Sequence, residues 1–155
     1  MPKAPKSKTV SLRQRALDCL ARREYSRQEL HRKLQPFAGE ADDIPALLND
    51  FQQRGWLSDE RFTEQIVHAR KSRYGSLKVA HELREKGVTE ALVTKAVAAL
   101  SQEEEANARG VWQRKFGEAP KNREEWAKQA RFLQSRGFGF ETIKRVLRSE
   151  PDDTE

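Results

Sequence analysis

The sequence contains a single cysteine, Cys19, and no long apolar run. One thiol cannot form an intramolecular disulfide, and its position between Leu17 and Leu20 in a helical pattern is typical of a packed side chain. No segment approaches the roughly 20 consecutive apolar residues of a membrane helix, and residues 1–10 lack the apolar centre of a secretion signal. We therefore predict a cytoplasmic protein that does not insert into membranes.

Motifs that would indicate catalysis or a cofactor are also lacking. The sequence has no P-loop, no G-x-G-x-x-G and no G-x-S-x-G motif. Its three histidines have no second His or Cys at the i+3 or i+4 spacing of a helical metal pair; they are His31, His68 and His81. An acidic cluster could suggest a magnesium-dependent nuclease, although helix N-termini account for most of it. The cluster comprises Asp42, Asp43, Asp50, Asp59 and Glu60. We predict no enzymatic activity, no cofactor and no metal site.

Hydrophobic residues make up only 36% of the chain, and charged residues make up 35%. Apolar side chains must therefore form narrow stripes rather than one thick core. The net charge of +6 is unevenly distributed. Residues 1–38, 61–87 and 126–149 are net basic, whereas residues 39–60 and 150–155 are net acidic. The basic blocks favour contact with phosphates or with an acidic protein surface.

Signals for helix starts and stops recur from Ser11 onward. Capping boxes are predicted at Ser11 with Gln14, Ser26 with Glu29, and Ser101 with Glu104. Schellman ends are predicted at Gly55, Gly87 and Gly137, each of which follows a basic side chain and precedes an apolar residue. These signals predict helices over 11–23, 26–36, 42–54, 59–73, 76–86, 89–100, 102–116, 123–136 and 140–149. No segment shows sustained strand-like alternation, so the predicted fold class is all-α.

An internal repeat is suggested by three aromatic residues at helix junctions, Tyr25, Tyr74 and Phe138. When the three are aligned, apolar residues occur at the same positions, about one helical turn apart, in the segments before and after each aromatic residue. The pattern predicts an elongated, curved array of three tandem three-helix repeats, the third irregular. The predicted segments are a disordered basic arm at 1–10, repeats at 11–57, 58–100 and 101–149, and an acidic tail at 150–155.

Basic residues surround each aromatic junction, and we predict that they form a discontinuous stripe for a polyanion or a filament groove. Its members are Arg22, Arg23, Arg27, Arg32 and Lys33 in the first repeat; Lys71, Arg73 and Lys78 in the second; and Arg131, Arg136, Lys144 and Arg145 in the third. Tyr25 and Tyr74 are candidate contact aromatics, whereas Trp56, Trp112, Trp126 and Phe132 are expected to pack in cores. A solvated charged face is the alternative explanation of the stripe.

Several motifs resemble the RecX family of bacterial regulatory proteins. They are GWLSDERF at 55–62, Arg73-Tyr74-Gly75, and Leu83 followed by Lys86-Gly87. The similarity extends from Ser11 to Leu147.

The resemblance implies a modulator of the RecA recombinase. Members of the family are tandem three-helix repeat proteins that bind in the groove of the RecA–DNA filament. They inhibit its recombinase, ATPase and coprotease activities, and so modulate DNA repair and the SOS response. The expected partners are the RecA filament and, weakly, single- and double-stranded DNA, and we expect a monomer. The residues themselves leave a second possibility open, a stand-alone helical DNA- or RNA-binding module.

Overall fold

A computed structural model describes residues 10–147, all of whose regular secondary structure is helical. The helices are α1 Leu12–Arg22, α2 Arg27–Leu34, α3 Ile44–Gln53, α4 Asp59–Arg70, α5 Ser76–Glu85, α6 Glu90–Ser101, α7 Glu104–Lys115, α8 Arg123–Ser135 and α9 Phe140–Leu147, with a short 3₁₀ turn at Gln35–Phe37. Each predicted helix is confirmed, with ends that differ by no more than three residues within the described part of the chain. The predicted arm at 1–9, the end of the last predicted helix at 148–149 and the tail at 150–155 lie outside the described residues.

The helix starts follow the predicted capping signals in part. Ser26 forms a complete capping box, in which Glu29 N–H donates to Ser26 Oγ at 3.0 Å and the Glu29 carboxylate accepts from Ser26 N–H at 3.4 Å. Ser11 accepts from Gln14 N–H at 3.0 Å, but the Gln14 amide donates to Asp18 instead of returning to Ser11. Short hydrogen-bonding side chains thus begin these helices even where the box is incomplete.

The capping box predicted at Ser101 is wrong. Ser101 is the last residue of α6, and its hydroxyl donates to Val97 O at 2.9 Å, one turn back in the same helix. The residue that precedes α7 is Glu103, whose side chain makes no capping hydrogen bond. A serine hydroxyl can satisfy either the end of one helix or the start of the next, and the sequence does not distinguish the two.

Two of the three predicted glycines, Gly55 and Gly137, end helices with the hydrogen bonds of a Schellman motif, and the third, Gly87, has the expected left-handed φ of +80°. Gly137 has φ +92°; its N–H donates to Gln134 O at 2.9 Å, and Phe138 N–H donates to Leu133 O at 3.2 Å. Gly55 ends α3 in the same left-handed conformation, with φ +78°. Because the backbone turns at these glycines, the next helix can start within three or four residues.

The chain forms two compact units. In the first, residues 10–62 together with 86–88, helix α2 packs against α1 and α3. Its core consists of Leu12, Ala16, Tyr25, Leu30, Leu34, Ile44, Leu48, Phe51 and Leu57. Cys19 is half-buried against this core, as predicted. Trp56 departs from the prediction, because it is 41% exposed and contacts Phe51 edge-on at 5.4 Å between ring centroids.

The second unit comprises residues 63–85 and 89–147. Helix α9 packs on α7 and α8 around a core of Ala108, Val111, Leu133, Phe138, Ile143, Val146 and Leu147. Trp112, Trp126 and Phe132 pack against this core, as predicted. No helix within residues 10–147 is both long and apolar enough to cross a membrane.

The order of the helices corrects the predicted repeat alignment. Tyr25 and Tyr74 precede the second helix of their three-helix sets, α2 and α5. Phe138 instead follows the second helix of its set, α8, so it corresponds to Val88 and not to the two tyrosines. The third set, α7 to α9, is therefore as regular in helix order as the other two. Amphipathic stripes match one another at several offsets, which is why the wrong alignment looked acceptable.

Candidate functional site

The start of α5 packs on the end of α8. Gly75 N–H donates to Arg136 O at 2.8 Å, and Leu77 N–H donates to Gly137 O at 3.1 Å. Lys78 Nζ donates to Ser135 O at 3.3 Å. The orphan N–H groups at the start of one helix thus meet the orphan carbonyls at the end of another, and the opposite ends of the two helix dipoles face each other.

Two glycines make this close approach possible. A Cβ atom on Gly75 would collide with the carbonyl oxygen of Gly137. A Cβ atom on Gly137 would lie 2.5 Å from Lys78 Cβ and 2.7 Å from Lys78 N. The sequence identified Gly137 as a helix end, but the packing of its peptide group against Gly75 depends on tertiary structure and was missed.

Three cations lie around Tyr74 where α5 packs on α8. The Tyr74 ring centroid lies 5.3 Å from Lys78 Nζ, 5.7 Å from Arg136 Cζ and 6.0 Å from Arg73 Cζ, distances at which cations interact with an aromatic face. We call Arg73, Tyr74, Lys78 and Arg136 the Tyr74 cluster. No carboxylate of residues 10–147 forms an ion pair with its three cations. Two predicted basic junctions, those of the second and third repeats, therefore meet in one place.

Further cations of the second unit lie close to this cluster. Arg114, at the end of α7, donates to Ser72 O at 2.6 Å, next to Arg73. Arg114 was not among the predicted site residues, because it does not lie beside an aromatic junction in the sequence. Lys71, which was predicted, pairs with Glu103 at 3.4 Å. Arg114 therefore adds positive charge next to the cluster, while the charge of Lys71 is partly compensated.

The junction at Tyr25 is different. Tyr25 is only 6% exposed, and the Arg23 guanidinium covers its ring at 3.7 Å. Arg23 Nη2 and Lys86 Nζ both pair with Glu29, at 2.6 and 3.4 Å. The expectation that Tyr25 presents its ring to a partner is wrong, because core packing buries that ring and the neighbouring charges are compensated.

Arg27 also has a role inside the fold. Its guanidinium donates to Asn49 Oδ1 at 2.9 Å, to Gln52 Oε1 at 2.6 Å and to Pro45 O at 3.4 Å, and so joins α2 to α3.

The other predicted cations lie on helix surfaces. Lys144 Nζ lies 5.1 Å from the Phe140 ring centroid and 3.8 Å from Glu141 Oε2. The remaining predicted cations are exposed on their helices: Arg22, Arg32, Lys33, Arg131 and Arg145.

The two tyrosine junctions correspond residue by residue. Aligning Tyr25 with Tyr74 pairs Glu29 with Lys78, and aligning Gly87 with Gly137 pairs Lys86 with Arg136. The corresponding carbonyl accepts a hydrogen bond in both junctions, from the Ser26 side chain to Lys86 O at 2.7 Å and from the Gly75 backbone N–H to Arg136 O. One packing arrangement is thus used twice, with a carboxylate at the centre of the first junction and an ammonium group at the same position of the second. The positive charge of the first junction is partly compensated by Glu29, whereas that of the Tyr74 cluster has no such internal partner.

Ion pairing at the first junction shifts the pKa of Glu29. Burial alone would raise that pKa, but the hydrogen bond from Arg23 and the charges of Arg23 and Lys86 outweigh burial, and hold the pKa below its ordinary value. A carboxyl group with a lowered pKa in the folded state stabilises the fold above its unfolded pKa of about 4.3. This contribution is lost as the pH falls through the folded pKa.

We expect the variant Glu29→Gln to be less stable than the parent by about 1 kcal/mol at pH 6, because a neutral amide keeps the cap but loses both ion pairs. The difference should shrink steadily as the pH falls from about 5 to 3. Urea unfolding at several pH values measures it, with the exposed Glu40→Gln as the control. A difference that does not change with pH would contradict the assigned ion pairs.

Most of the acidic residues that could suggest a nuclease accept hydrogen bonds from backbone N–H groups instead. Asp43 caps α3 by accepting from Ala46 N–H at 3.0 Å, and Asp42 accepts from Gly39 N–H at 2.8 Å. Asp59 accepts from Arg27 N–H at 2.7 Å. Within the described residues, no group of three or more His, Cys, Asp or Glu side chains is arranged to hold a metal ion.

The fold and the Tyr74 cluster define an all-helical protein of tandem three-helix sets with a cationic junction between helices. Residues 58–97 match the family model of the second three-helix domain of RecX, and residues 102–147 match that of the third. The chain belongs to the RecX family of regulatory proteins.

Individual relatives agree with this assignment. The regulatory protein RecX of Leptothrix cholodnii is 45% identical over 139 residues, which cover 90% of this chain and 88% of the relative. That of Ralstonia nicotianae is 41% identical over 147 residues, covering 95% and 90%. The crystal structure of RecX from Lactobacillus salivarius shares the fold with a TM-score of 0.75 at 17% identity, and the match covers 89% of this chain and 93% of that one.

Proposed function

We propose that this chain is a cytoplasmic, monomeric, non-enzymatic regulator of RecA. In this proposal it binds in the groove of the RecA–DNA filament and inhibits the recombinase, ATPase and coprotease activities, and thereby modulates DNA repair and the SOS response. Family membership supports the regulatory role. The observation that carries the binding mode is the Tyr74 cluster, where three cations surround one half-buried ring without a compensating carboxylate among the described residues.

Uncompensated like charges repel one another, and an incoming anion relieves this repulsion. At the first junction, the fold itself supplies a negative charge, because Glu29 pairs with Arg23 and Lys86. At the second junction the corresponding residue is Lys78, so the cluster offers a partner positive charge that the junction itself does not compensate. A RecA–DNA filament offers phosphates as well as acidic protein side chains.

The proposal is tested by adding the purified protein to RecA on single-stranded DNA and measuring ATP hydrolysis and strand exchange. We expect both rates to fall, already below one molecule per RecA protomer if the protein blocks filament growth. Rates that stay unchanged up to equimolar protein would overturn the proposed function.

A second candidate function is a stand-alone DNA- or RNA-binding module, which the exposed cations favour. They include Arg22, Arg32, Lys33, Arg131 and Arg145. Under the proposed function we expect affinity for the RecA filament to exceed affinity for bare single- or double-stranded DNA by about 10-fold or more at 0.15 M salt. Titrations over a range of salt concentrations distinguish the two. Equal affinity with a steep salt dependence would favour the stand-alone module.

A further inference from the structure

The surface beside the Tyr74 cluster carries two exposed apolar side chains. Leu77 and Phe140 are each 61% exposed, the highest value among the large hydrophobic residues of the described chain. Leu77 N–H donates to Gly137 O, and Phe140 follows Gly137 by three residues. Both residues are therefore attached to the same turn, next to Lys78 and Arg136.

Helix formation does not explain these two residues. Both lie in the first turn of a helix, where acidic and polar side chains interact best with the dipole. The matching position in one other repeat is polar in each case, with Gln28 in place of Leu77 and Glu90 in place of Phe140. The fold therefore tolerates polar residues at these positions, and the apolar ones are exposed where packing does not require them.

The surroundings indicate the chemistry of a partner. Lys144 Nζ lies 5.1 Å from the Phe140 ring centroid. Lys78 directly follows Leu77 in α5, and Lys78 and Arg136 both lie beside the Tyr74 ring. An aliphatic and an aromatic anchor within a rim of cations is typical of a protein–protein contact. Leu77 favours a protein over a nucleic acid: phosphates would use the cations and a base could stack on Phe140, but neither would use an aliphatic side chain.

We infer that Leu77 and Phe140 form the apolar centre of a docking surface for an acidic protein segment that carries an apolar side chain of its own. The cations of the Tyr74 cluster and Lys144 pair with the carboxylates of that segment. This inference rests on the proposed function, in which the segment belongs to the RecA protein of the filament rather than to its DNA.

The test compares the double variant Leu77→Gln and Phe140→Gln with the parent. Glutamine leaves every cation in place and, at Leu77, restores the residue type found at Gln28. Affinity is measured for the RecA filament on single-stranded DNA and for the same DNA without RecA. The control is Phe37→Gln, which removes a phenylalanine that is 53% exposed in the first unit. Circular dichroism confirms that each variant is folded.

We expect filament affinity to fall by about 10-fold or more, as the loss of two buried apolar contacts requires. Affinity for bare DNA, the salt dependence of binding and the behaviour of the Phe37 control should stay unchanged. A photoreactive benzoylphenylalanine in place of Phe140 should cross-link to a stretch of RecA rich in Asp and Glu.

Three results would overturn the inference. Undiminished filament affinity would show that the two side chains lie outside the interface. An equal loss on bare DNA would make the surface a nucleic-acid site. Self-association of the parent in sedimentation that disappears in the double variant would identify a second copy of the chain as the occupant. If the parent itself fails to bind the filament, the proposed function fails, and the RecA segment named here fails with it.

Discussion

The variant Gly137→Ala should lose about 3 kcal/mol or more of unfolding free energy. Two effects combine at this position. The φ of +92° costs an L-residue about 1–2 kcal/mol. In addition, the new methyl group would overlap Lys78, with 2.5 Å to its Cβ and 2.7 Å to its N atom, so α5 and α8 must separate. Separation breaks the hydrogen bond from Leu77 N–H to Gly137 O. Chemical denaturation measures the loss.

Two further glycines separate the contributions. Gly55 has φ +78° but no atom within 4 Å of an added Cβ, so Gly55→Ala should cost only the backbone term of about 1–2 kcal/mol. Gly75 does not have a left-handed φ, but its added Cβ would meet the Gly137 carbonyl, so Gly75→Ala reports the steric term alone. If Gly137→Ala costs no more than Gly55→Ala, the packing of α5 on α8 is looser than described.

Local signals explain why the helices could be predicted from the sequence. The serine and glutamate of a capping box act over three residues, and a Schellman glycine acts over five or six. Ser26 and Gly137 both behave as their neighbours in the sequence dictate. The prediction failed at Ser101, where two helices compete for one hydroxyl, and at Phe138, where the amphipathic pattern fits more than one alignment.

The candidate site was predicted only in pieces. Tyr74, Arg73, Lys78 and Arg136 were each identified from their neighbours, but Arg136 was assigned to a separate junction. Its place beside Tyr74 depends on the packing of Gly75 against Gly137, across about 60 residues of sequence. Local patterns carry no information about such a contact, and they cannot show that the similar residue Tyr25 is buried.

The comparison of the two junctions could have been made from the sequence once the correct alignment was known. Glu29 and Lys78 occupy corresponding positions beside corresponding tyrosines. In the first junction the carboxylate ties Arg23 and Lys86 together, and the charges serve stability. In the second junction an ammonium group takes its place, and the fold gives up that stabilisation. A site that forgoes internal ion pairs while keeping a similar helix contact is better explained by binding than by stability.

The variant Lys78→Glu tests this difference directly, because it gives the second junction the charge that Glu29 gives the first. We expect the new carboxylate to pair with Arg136 or Arg73, so that unfolding free energy stays constant or rises by up to about 1 kcal/mol. Filament affinity should nevertheless fall by roughly 30-fold at 0.15 M salt, since the reversal removes one cation and compensates another. The salt dependence of binding should become weaker at the same time.

The matched control is Lys128→Glu, which makes the same change of net charge at an exposed position of α8, outside the predicted stripe. It should lower filament affinity by less than about threefold, because Lys128 precedes Arg136 by about 12 Å along α8, and solvent screens charges at that distance. Binding titrations at several salt concentrations, together with thermal unfolding of both variants, give the two readouts. An equal loss of affinity in both variants would mean that net charge alone drives binding, and that the Tyr74 cluster has no special role. A loss of affinity in Lys78→Glu alone, without a loss of stability, would place the partner's negative charge at this cluster.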